Sequence, residues 1–145
     1  MKIMIDPVHG GHDPGASGHG LVEKDVVLDL ALGIADELDR YGKKINYRLT
    51  RRSDTYVSLS GRAELANSWG ADYFVSLHAN AGGGDGMEAY TYLEVPKKTQ
   101  DFAEDYYGVL MSHLDVRDRG LKKANFAVVR ETKMSALLVE NLFLD

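Results

Sequence analysis

The stretch IMIDPVHGGHDPG, residues 3–15, joins a short apolar run to a loop rich in glycine, histidine and aspartate. The run has the form of a buried strand, and the loop after it lies where a sheet presents polar groups, the usual place for chemistry in an α/β domain. The same pattern recurs where YFVSL (73–77) runs into His78 and where ALLV (136–139) runs into Glu140. The sequence therefore predicts strands that deliver metal-binding or proton-handling side chains to one edge of a sheet.

The composition limits what this chain can be. Its 145 residues, 44% hydrophobic and 27% charged, suit one soluble globular domain with a single core. A formal net charge of -5 argues against nucleic-acid binding, because phosphate contacts normally need a basic face. Cysteine is absent, so any zinc site must use histidine nitrogen and carboxylate oxygen.

Targeting signals are not evident in the sequence. Residues 1–2 lead directly into the first apolar run, without the separate charged and apolar regions of a signal peptide. No run approaches the ~18 apolar residues that a membrane span needs. We therefore expect no membrane span, and delivery to an extracellular target would need a route other than a cleaved N-terminal signal, unless the N-terminus has been trimmed.

Hydrophobic periodicity predicts an alternation of strands and helices. The predicted strands are residues 2–6, 45–49, 73–77, 87–93, 126–129 and 136–139, with a glycine-rich loop over 7–20. The predicted helices are 24–41, a segment from a serine cap (Ser58 or Ser60) to about Trp69, and about 100–114 after a Thr99 cap. This order is α/β, and it predicts one domain with a mostly parallel or mixed central sheet of about six strands and helices on both faces.

Four side chains have the chemistry of a single-zinc hydrolase. Such a zinc has three protein ligands and a fourth position for water, whose pKa it lowers to roughly 7. His9, Glu23 and His78 can supply the three ligands. Glu140 can be the free carboxylate that takes the proton and returns it to the leaving amine.

Each of these residues also has a purely structural interpretation. Glu23 alone would pass for charge compensation at a helix N-terminus, and Glu140 for a strand-end salt bridge. His9 and His78 each follow a buried apolar run, where an imidazole without a partner would be costly. The two histidines therefore favour the metal site over the structural interpretation.

Short motifs along nearly the whole chain match one known family. They are DPVHGG (6–11), GLVEKD (20–25), TR (50–51) followed by Asp54, Leu59, Arg62, Ala66 and Asn67, SLHAN (76–80), RGL (119–121) and MSALLVE (134–140). Together, and in this order, they resemble the zinc-dependent N-acetylmuramoyl-L-alanine amidases of the amidase-3 group, found in bacterial autolysins and phage endolysins.

The resemblance implies a cofactor, a reaction and a set of residues. By position, His9, Glu23 and His78 look like the Zn²⁺ ligands, Glu140 like the catalytic general base, and Asn80 like a residue at the border of the site. The expected reaction is hydrolysis of the amide between N-acetylmuramic acid and L-alanine, which makes peptidoglycan the expected substrate. Action on the cell wall, on its extracellular or periplasmic side, would then follow release by a phage holin or by cell lysis.

The resemblance also suggests supporting residues. His12 and Asp13 are close enough to His9 in sequence to orient a ligand. Arg62 and Asn67 are interpreted as structural residues, bracing the loop that contains Asp54.

Some positions depart from the family pattern. Val8 stands where glycine is usual, Ser135 where proline is common, and residues 141–142 replace a step that often contains glycine. Family members generally continue with a further helix, so residues 1–145 are expected to be a catalytic domain without that helix and possibly without a cell-wall-binding module. We then expect an apolar patch on one face.

Three other functions compete with the amidase. A non-catalytic peptidoglycan-binding module with the same fold would be expected to lose a ligand or the base, and this chain keeps all four residues. Another zinc hydrolase, such as a peptidase or deacetylase, lacks support because H-E-x-x-H is absent. A nucleotide-binding α/β protein ranks last, and the sequence gives no indication of oligomeric state.

Overall fold

The computed structural model describes residues 1–42 and 44–145. The strands are β1 Lys2–Pro7, β2 Ser17–Gly18, β3 Leu21–Val22, β4 Asn46–Leu49, β5 Tyr73–Asn80, β6 Met87–Thr91, β7 Asp118–Lys123 and β8 Ser135–Phe143. The helices are α1 Glu23–Tyr41, α2 Leu59–Trp69, α3 Lys97–His113 and α4 Ala127–Arg130. Among the described residues, no helix has the length and apolar character needed to cross a membrane.

Six strands form one mixed sheet in the order β4-β1-β5-β8-β6-β7, and β2 pairs with β3 in a separate hairpin. Strands β4, β1, β5 and β8 run parallel to one another, so their carboxyl ends lie along the same edge. Strand β6 runs antiparallel to β8 and parallel to β7. The predicted fold class, a mixed sheet of about six strands in one α/β domain, is therefore confirmed.

Helices cover both faces of the sheet, as predicted. Helix α1 contacts β1 and β5, while α3 contacts β6, β7 and β8, and the two helices share one apolar cluster. Helices α2 and α4 pack on each other beside a second apolar cluster. The sheet is thus buried between two layers, and its carboxyl-end edge remains available for polar groups.

Helix boundaries follow local sequence signals. Val27, Ala31 and Ala35 are buried at helical spacing in α1, which ends where Gly42 adopts the left-handed conformation with φ of 67°. Ser58 caps α2 as one of the two predicted serines, because its side chain accepts a hydrogen bond from the Gly61 N–H at 3.1 Å.

Two predictions of secondary structure were wrong. Residues 126–129, predicted as a strand, lie largely in α4, where Val128 and Val129 are buried in the second apolar cluster. Thr99 lies inside α3 rather than at its cap, and its hydroxyl is 3.0 Å from that of Ser135. Packing of Val128 and Val129 into the second apolar cluster overrode the β propensity of residues 126–129. At Thr99 the error is one of boundary, since α3 begins at Lys97 after Pro96.

A buried ion pair holds the end of β1 in place. The Arg62 side chain, 1% exposed, donates from Nη1 to Oδ1 of Asp6 at 2.8 Å and to the Pro7 carbonyl at 2.9 Å. Its Nη2 donates to the carbonyl of His9 at 2.8 Å. Arg62 therefore braces the backbone that leads to His9 and not, as expected, the loop at Asp54.

The structure gives Asn67 another role as well. Its amide bonds the carbonyl of Glu131 and the N–H of Lys133, so it connects α2 to the segment after α4. Asp54 itself accepts from the Gly11 N–H and from Lys24 Nζ, each at 2.8 Å. The loop at Asp54 is thus tied to the glycine-rich loop.

On the side of α1 and α3, a groove along α3 is lined in part by Tyr73, Phe102, Tyr106 and Val109, and Val109 is 60% exposed. The apolar patch expected from a missing helix stays a prediction.

Candidate metal centre

Three of the predicted site residues meet at the carboxyl-end edge of the sheet. His9 follows β1, Glu23 is the first residue of α1, and His78 lies within β5. One ligand atom from each lies within 4.8 Å of the other two. Glu23 stands between the histidines, with Oε2 3.0 Å from His9 Nε2 and Oε1 3.4 Å from His78 Nδ1.

The glycine-rich loop brings His9 and Glu23 together. His9 adopts a left-handed backbone with φ of 62°, which an ordinary strand end would not produce. Gly15, with φ of 67°, passes so close that a Cβ there would overlap the His9 ring and the Glu23 carboxylate. The loop needs glycine at this position because the two side chains fill the space.

Asp13 orients His9, as predicted, whereas His12 does not. Oδ2 of Asp13 lies 2.7 Å from Nδ1 of His9, which leaves Nε2 directed at Glu23. A carboxylate on the far nitrogen fixes the ring orientation and tautomer of a metal-binding histidine. The His12 ring instead contacts Tyr56, with ring centroids 4.2 Å apart, on the outside of the loop.

The environment of Glu23 keeps it ionised. Burial by itself would raise the pKa of Glu23, but hydrogen bonds with His78 and His9 and from two backbone N–H groups hold it well below its usual range. Those N–H groups belong to Ala16 and Ala79, at 2.9 and 3.1 Å. A carboxylate ligand must be deprotonated to bind a cation, so this arrangement suits a metal site.

The pKa of His9 is shifted in the opposite direction to that of Glu23. Burial lowers its pKa, while hydrogen bonds and charge interactions with Glu23 and Asp13 raise it, and the net result is a pKa above its ordinary value. The two carboxylates therefore concentrate negative charge where a cation would sit.

Glu140 lies beside this group as the fourth predicted residue. It is the register partner of His78 in the parallel β5–β8 pair, and its Oε1 is 4.0 Å from His78 Nδ1. Burial raises the pKa of Glu140, the His78 charge opposes that rise, and the carboxylates of Glu23 and Glu88 add to it. Both Glu140 and His78 lie within their strands, which run longer than predicted.

Two buried polar atoms mark where a ligand fits. Within the described chain, His78 Nε2 and Glu140 Oε2 are buried side-chain atoms that have no hydrogen-bond partner. Such atoms are costly unless an ion, water or substrate satisfies them. Nitrogen and carboxylate oxygen are zinc ligands, so the donor set fits the expected metal.

Comparison with known proteins identifies the family. The family model described as N-acetylmuramoyl-L-alanine amidase, Amidase_3, matches residues 3–145. This chain belongs to the amidase-3 family. Its motifs at His9, Glu23, His78 and Glu140 lie within that match.

Relatives in the amidase-3 family come from bacteria and a phage. The chain is 47% identical over 145 residues to the sporulation-specific N-acetylmuramoyl-L-alanine amidase of Bacillus subtilis (strain 168), covering 100% of this chain and 57% of the relative. It is 39% identical over 150 residues to the endolysin of Bacillus phage SPP1, covering 99% and 55%. The chain therefore spans little more than half the length of these relatives.

A solved amidase structure has the same fold. The crystal structure of N-acetylmuramoyl-L-alanine amidase from Clostridium difficile 630 matches with a TM-score of 0.93 at 37% identity. The match covers 99% of this chain and 80% of that one.

Sequence reasoning missed a carboxylate next to Glu140. Glu88, 4% exposed, lies opposite Glu140 in the antiparallel β6–β8 pair. The signal that could have found it is the composition of residues 87–91, MEAYT, a predicted strand segment whose single charged residue is Glu88. Asn80, predicted to border the site, donates from Nδ2 to Glu88 at 3.1 Å.

Proposed function

We propose that this domain hydrolyses the amide bond between N-acetylmuramic acid and L-alanine in peptidoglycan. The observation that carries the proposal is the convergence of His9, Glu23 and His78 beside Glu140 in a chain of the amidase-3 family. Residues 1–145 would then be a catalytic domain that acts on the cell wall, as an autolysin or endolysin does.

Zinc is the cofactor that we assign to the site. His9 and His78 would bind through nitrogen and Glu23 through a carboxylate oxygen, which is a ligand set known for catalytic zinc. When bound, the metal supplies a Lewis acid that polarises the scissile carbonyl and lowers the pKa of water. Asp13 would keep the His9 ring in its binding orientation through the 2.7 Å contact to Nδ1.

Glu140 would move the proton during hydrolysis. Its carboxylate takes a proton from the attacking water and returns it to the amide nitrogen as the carbon–nitrogen bond breaks. The products are the lactyl carboxylate of the sugar and a peptide with a free L-alanine amine. Burial, which raises the pKa of Glu140, brings its proton affinity closer to that needed of a group that both accepts and donates.

A non-catalytic peptidoglycan-binding module is the alternative. Loss of a metal-binding residue or of the base would favour that alternative, whereas the four side chains are present and close together here. The amidase is therefore the better-supported function.

Metal analysis combined with digestion of purified cell wall tests the proposal. We expect stoichiometric zinc and chelator-sensitive release of free L-alanine amino termini without new reducing sugar ends. Zinc binding without cleavage would favour the binding module, and absence of zinc after incubation with the metal would refute the site.

A further inference from the structure

Glu88 and its neighbours form a charged cluster next to Glu140. The Glu88 carboxylate accepts from Arg119 Nε at 2.9 Å, from Lys122 Nζ at 2.7 Å and from the Tyr90 hydroxyl at 3.0 Å. Like charges directly opposite each other on neighbouring strands repel, so the two cations offset the pairing of Glu88 with Glu140. The cluster is therefore part of the same edge of the sheet as the metal centre.

Two cations contact the Glu88 carboxylate, next to Glu140 on the neighbouring strand. Two cations surround one carboxylate, and hydrogen bonds from both cations and Tyr90, against the opposing effect of burial, hold the pKa of Glu88 at about 2. Glu88 itself is buried, whereas the side chains of Arg119 and Lys122 are 28% and 42% exposed. The two cationic side chains are thus accessible from solvent beside Glu140, whereas the Glu88 carboxylate is not.

A bulge in the backbone of β7 directs the Arg119 side chain toward Glu88. Residue 118 pairs with Met87 and residue 120 with Glu88, so Arg119 is the extra residue of a bulge in β7. Bulges re-aim side chains and are frequent next to active sites. The guanidinium also lies over the ring of Phe143, 5.0 Å from its centroid, and Phe143 is the last residue of β8, the strand that contains Glu140.

Both cations retain donors for a ligand. A guanidinium has five N–H donors and an ammonium has three. Glu88 takes one donor from each, and the Asp85 carbonyl lies 3.5 Å from Arg119 Nη1. The planar guanidinium of Arg119, next to the compact ammonium of Lys122, suits recognition of a carboxylate.

We propose that Arg119 and Lys122 form a subsite for a free carboxylate on the stem peptide of the substrate, positioned by Glu88. This inference rests on the proposed amidase function. Of the two sides of the scissile amide, the N-acetylmuramoyl side is neutral, whereas the peptide side carries carboxylates. The subsite therefore places the peptide on the β6–β7 side of Glu140 and selects peptides that are anionic near L-alanine.

Two matched substrates test the subsite. They are muramoyl tripeptides whose second residue is either D-glutamate with a free α-carboxylate or D-isoglutamine, in which an uncharged carboxamide replaces that carboxylate. We expect the wild-type domain, loaded with zinc, to prefer the carboxylate substrate by about tenfold in kcat/KM, mostly through KM, as expected for a charge-assisted hydrogen bond. A ratio of two substrates is insensitive to partial unfolding, which lowers both rates equally.

Variants assign the preference to the two cations. Arg119→Gln and Lys122→Gln should each reduce the ratio toward one, and Arg119→Lys should retain part of it. Arg117→Gln is the matched control, because it removes the same charge from a neighbouring residue. The Arg117 side chain is 65% exposed and pairs with Asp85. This variant should leave the ratio unchanged.

The possible failures of the two proposals differ. Equal cleavage of both substrates by the wild-type domain would overturn the subsite and leave the amidase function intact, as would an equal loss of preference in Arg117→Gln. If neither substrate were cleaved, the amidase function would fail. Calorimetric binding of the two muropeptides would then decide on the subsite, and equal affinities would refute it.

Discussion

His78 and Glu140 are register partners on adjacent parallel strands, with Nδ1 and Oε1 4.0 Å apart. The contact to Glu23 is shorter, at 3.4 Å, and Glu140 is not one of the three residues whose ligand atoms lie within 4.8 Å of one another. His78 therefore belongs with the group of atoms that could hold a metal, while Glu140 stands beside them. This geometry suits the separate roles of metal ligand and base that we propose for the two residues.

The first prediction concerns Glu140. Glu140→Gln keeps the shape of the side chain but removes its capacity to take a proton, so turnover of muropeptide should fall by about 10²–10⁴-fold. Zinc content should stay at the wild-type level, measured by atomic emission on the purified protein. Wild-type turnover in Glu140→Gln would show that Glu140 is not the base. Loss of zinc in this variant would show that Glu140 is instead a metal ligand.

The second prediction concerns His78. His78→Ala removes one of the three proposed ligands, so both zinc binding and amidase activity should be lost. His113→Ala is the matched control, because His113 lies exposed at the end of α3, and it should retain both. Calorimetric titration with zinc checks the pair, and an unchanged affinity in His78→Ala would remove His78 from the site.

The third prediction concerns the ion pair behind the site. Arg62→Ala leaves the buried Asp6 carboxylate without its cation, so the free energy of unfolding should fall by about 3–5 kcal/mol. Arg40→Ala removes an exposed pair with Glu37, whose side chains are more than 70% exposed, and should cost less than about 1 kcal/mol. Urea denaturation measures both. A small effect of Arg62→Ala would mean that water or a rearrangement stabilises Asp6.

The sequence predicted that the site residues lie together at one edge of the sheet, because this placement depends on strand direction. Apolar runs before His9, His78 and Glu140 identified three strands, and parallel neighbours bring their carboxyl ends to one edge. Residue-level distances could not be predicted, since they depend on the left-handed turn at His9 and on the close approach of Gly15.

The part that the sequence did not predict lies on β6 and β7, the two strands beyond β8 in the sheet. Strand β7 reads DRGLKK, without an apolar run, because it is an edge strand with mostly half-buried or exposed residues. Its ion pairs with Glu88 arise only once β6 lies antiparallel to β8 and parallel to β7. Such contacts depend on tertiary pairing and leave no local periodic signal.

The fourth prediction follows from the depressed pKa of Glu88, about 2 in the folded protein against an ordinary value of 4.5. A lowered carboxyl pKa stabilises the folded state above the unfolded pKa, and this contribution is lost as pH falls through the folded pKa. It amounts to about 3 kcal/mol at most.

Glu88→Gln tests this contribution. The difference in the free energy of unfolding between wild type and Glu88→Gln should be constant above about pH 5 and should shrink as pH falls from about 4.5 toward 2. Urea denaturation at a series of pH values measures it. A difference that grew on acidification would contradict the assigned ion pairs.

The fifth prediction concerns Leu142, two residues after Glu140 in β8. Leu142 adopts φ of 70° and is 39% exposed. A left-handed backbone costs a non-glycine residue roughly 1–2 kcal/mol, which exceeds the loss of a partly exposed side chain and the added chain entropy of glycine. Leu142→Gly should therefore raise the free energy of unfolding, by about 0.5–1 kcal/mol.

A second leucine provides the matched control for that substitution. Leu30 is 37% exposed, close to the value for Leu142, but lies inside α1, where glycine costs about 1 kcal/mol relative to alanine. Leu30→Gly should lower the midpoint of thermal unfolding, whereas Leu142→Gly should raise it. If both substitutions lowered the midpoint equally, side-chain packing would outweigh backbone strain at Leu142, and β8 would tolerate leucine at this position without cost.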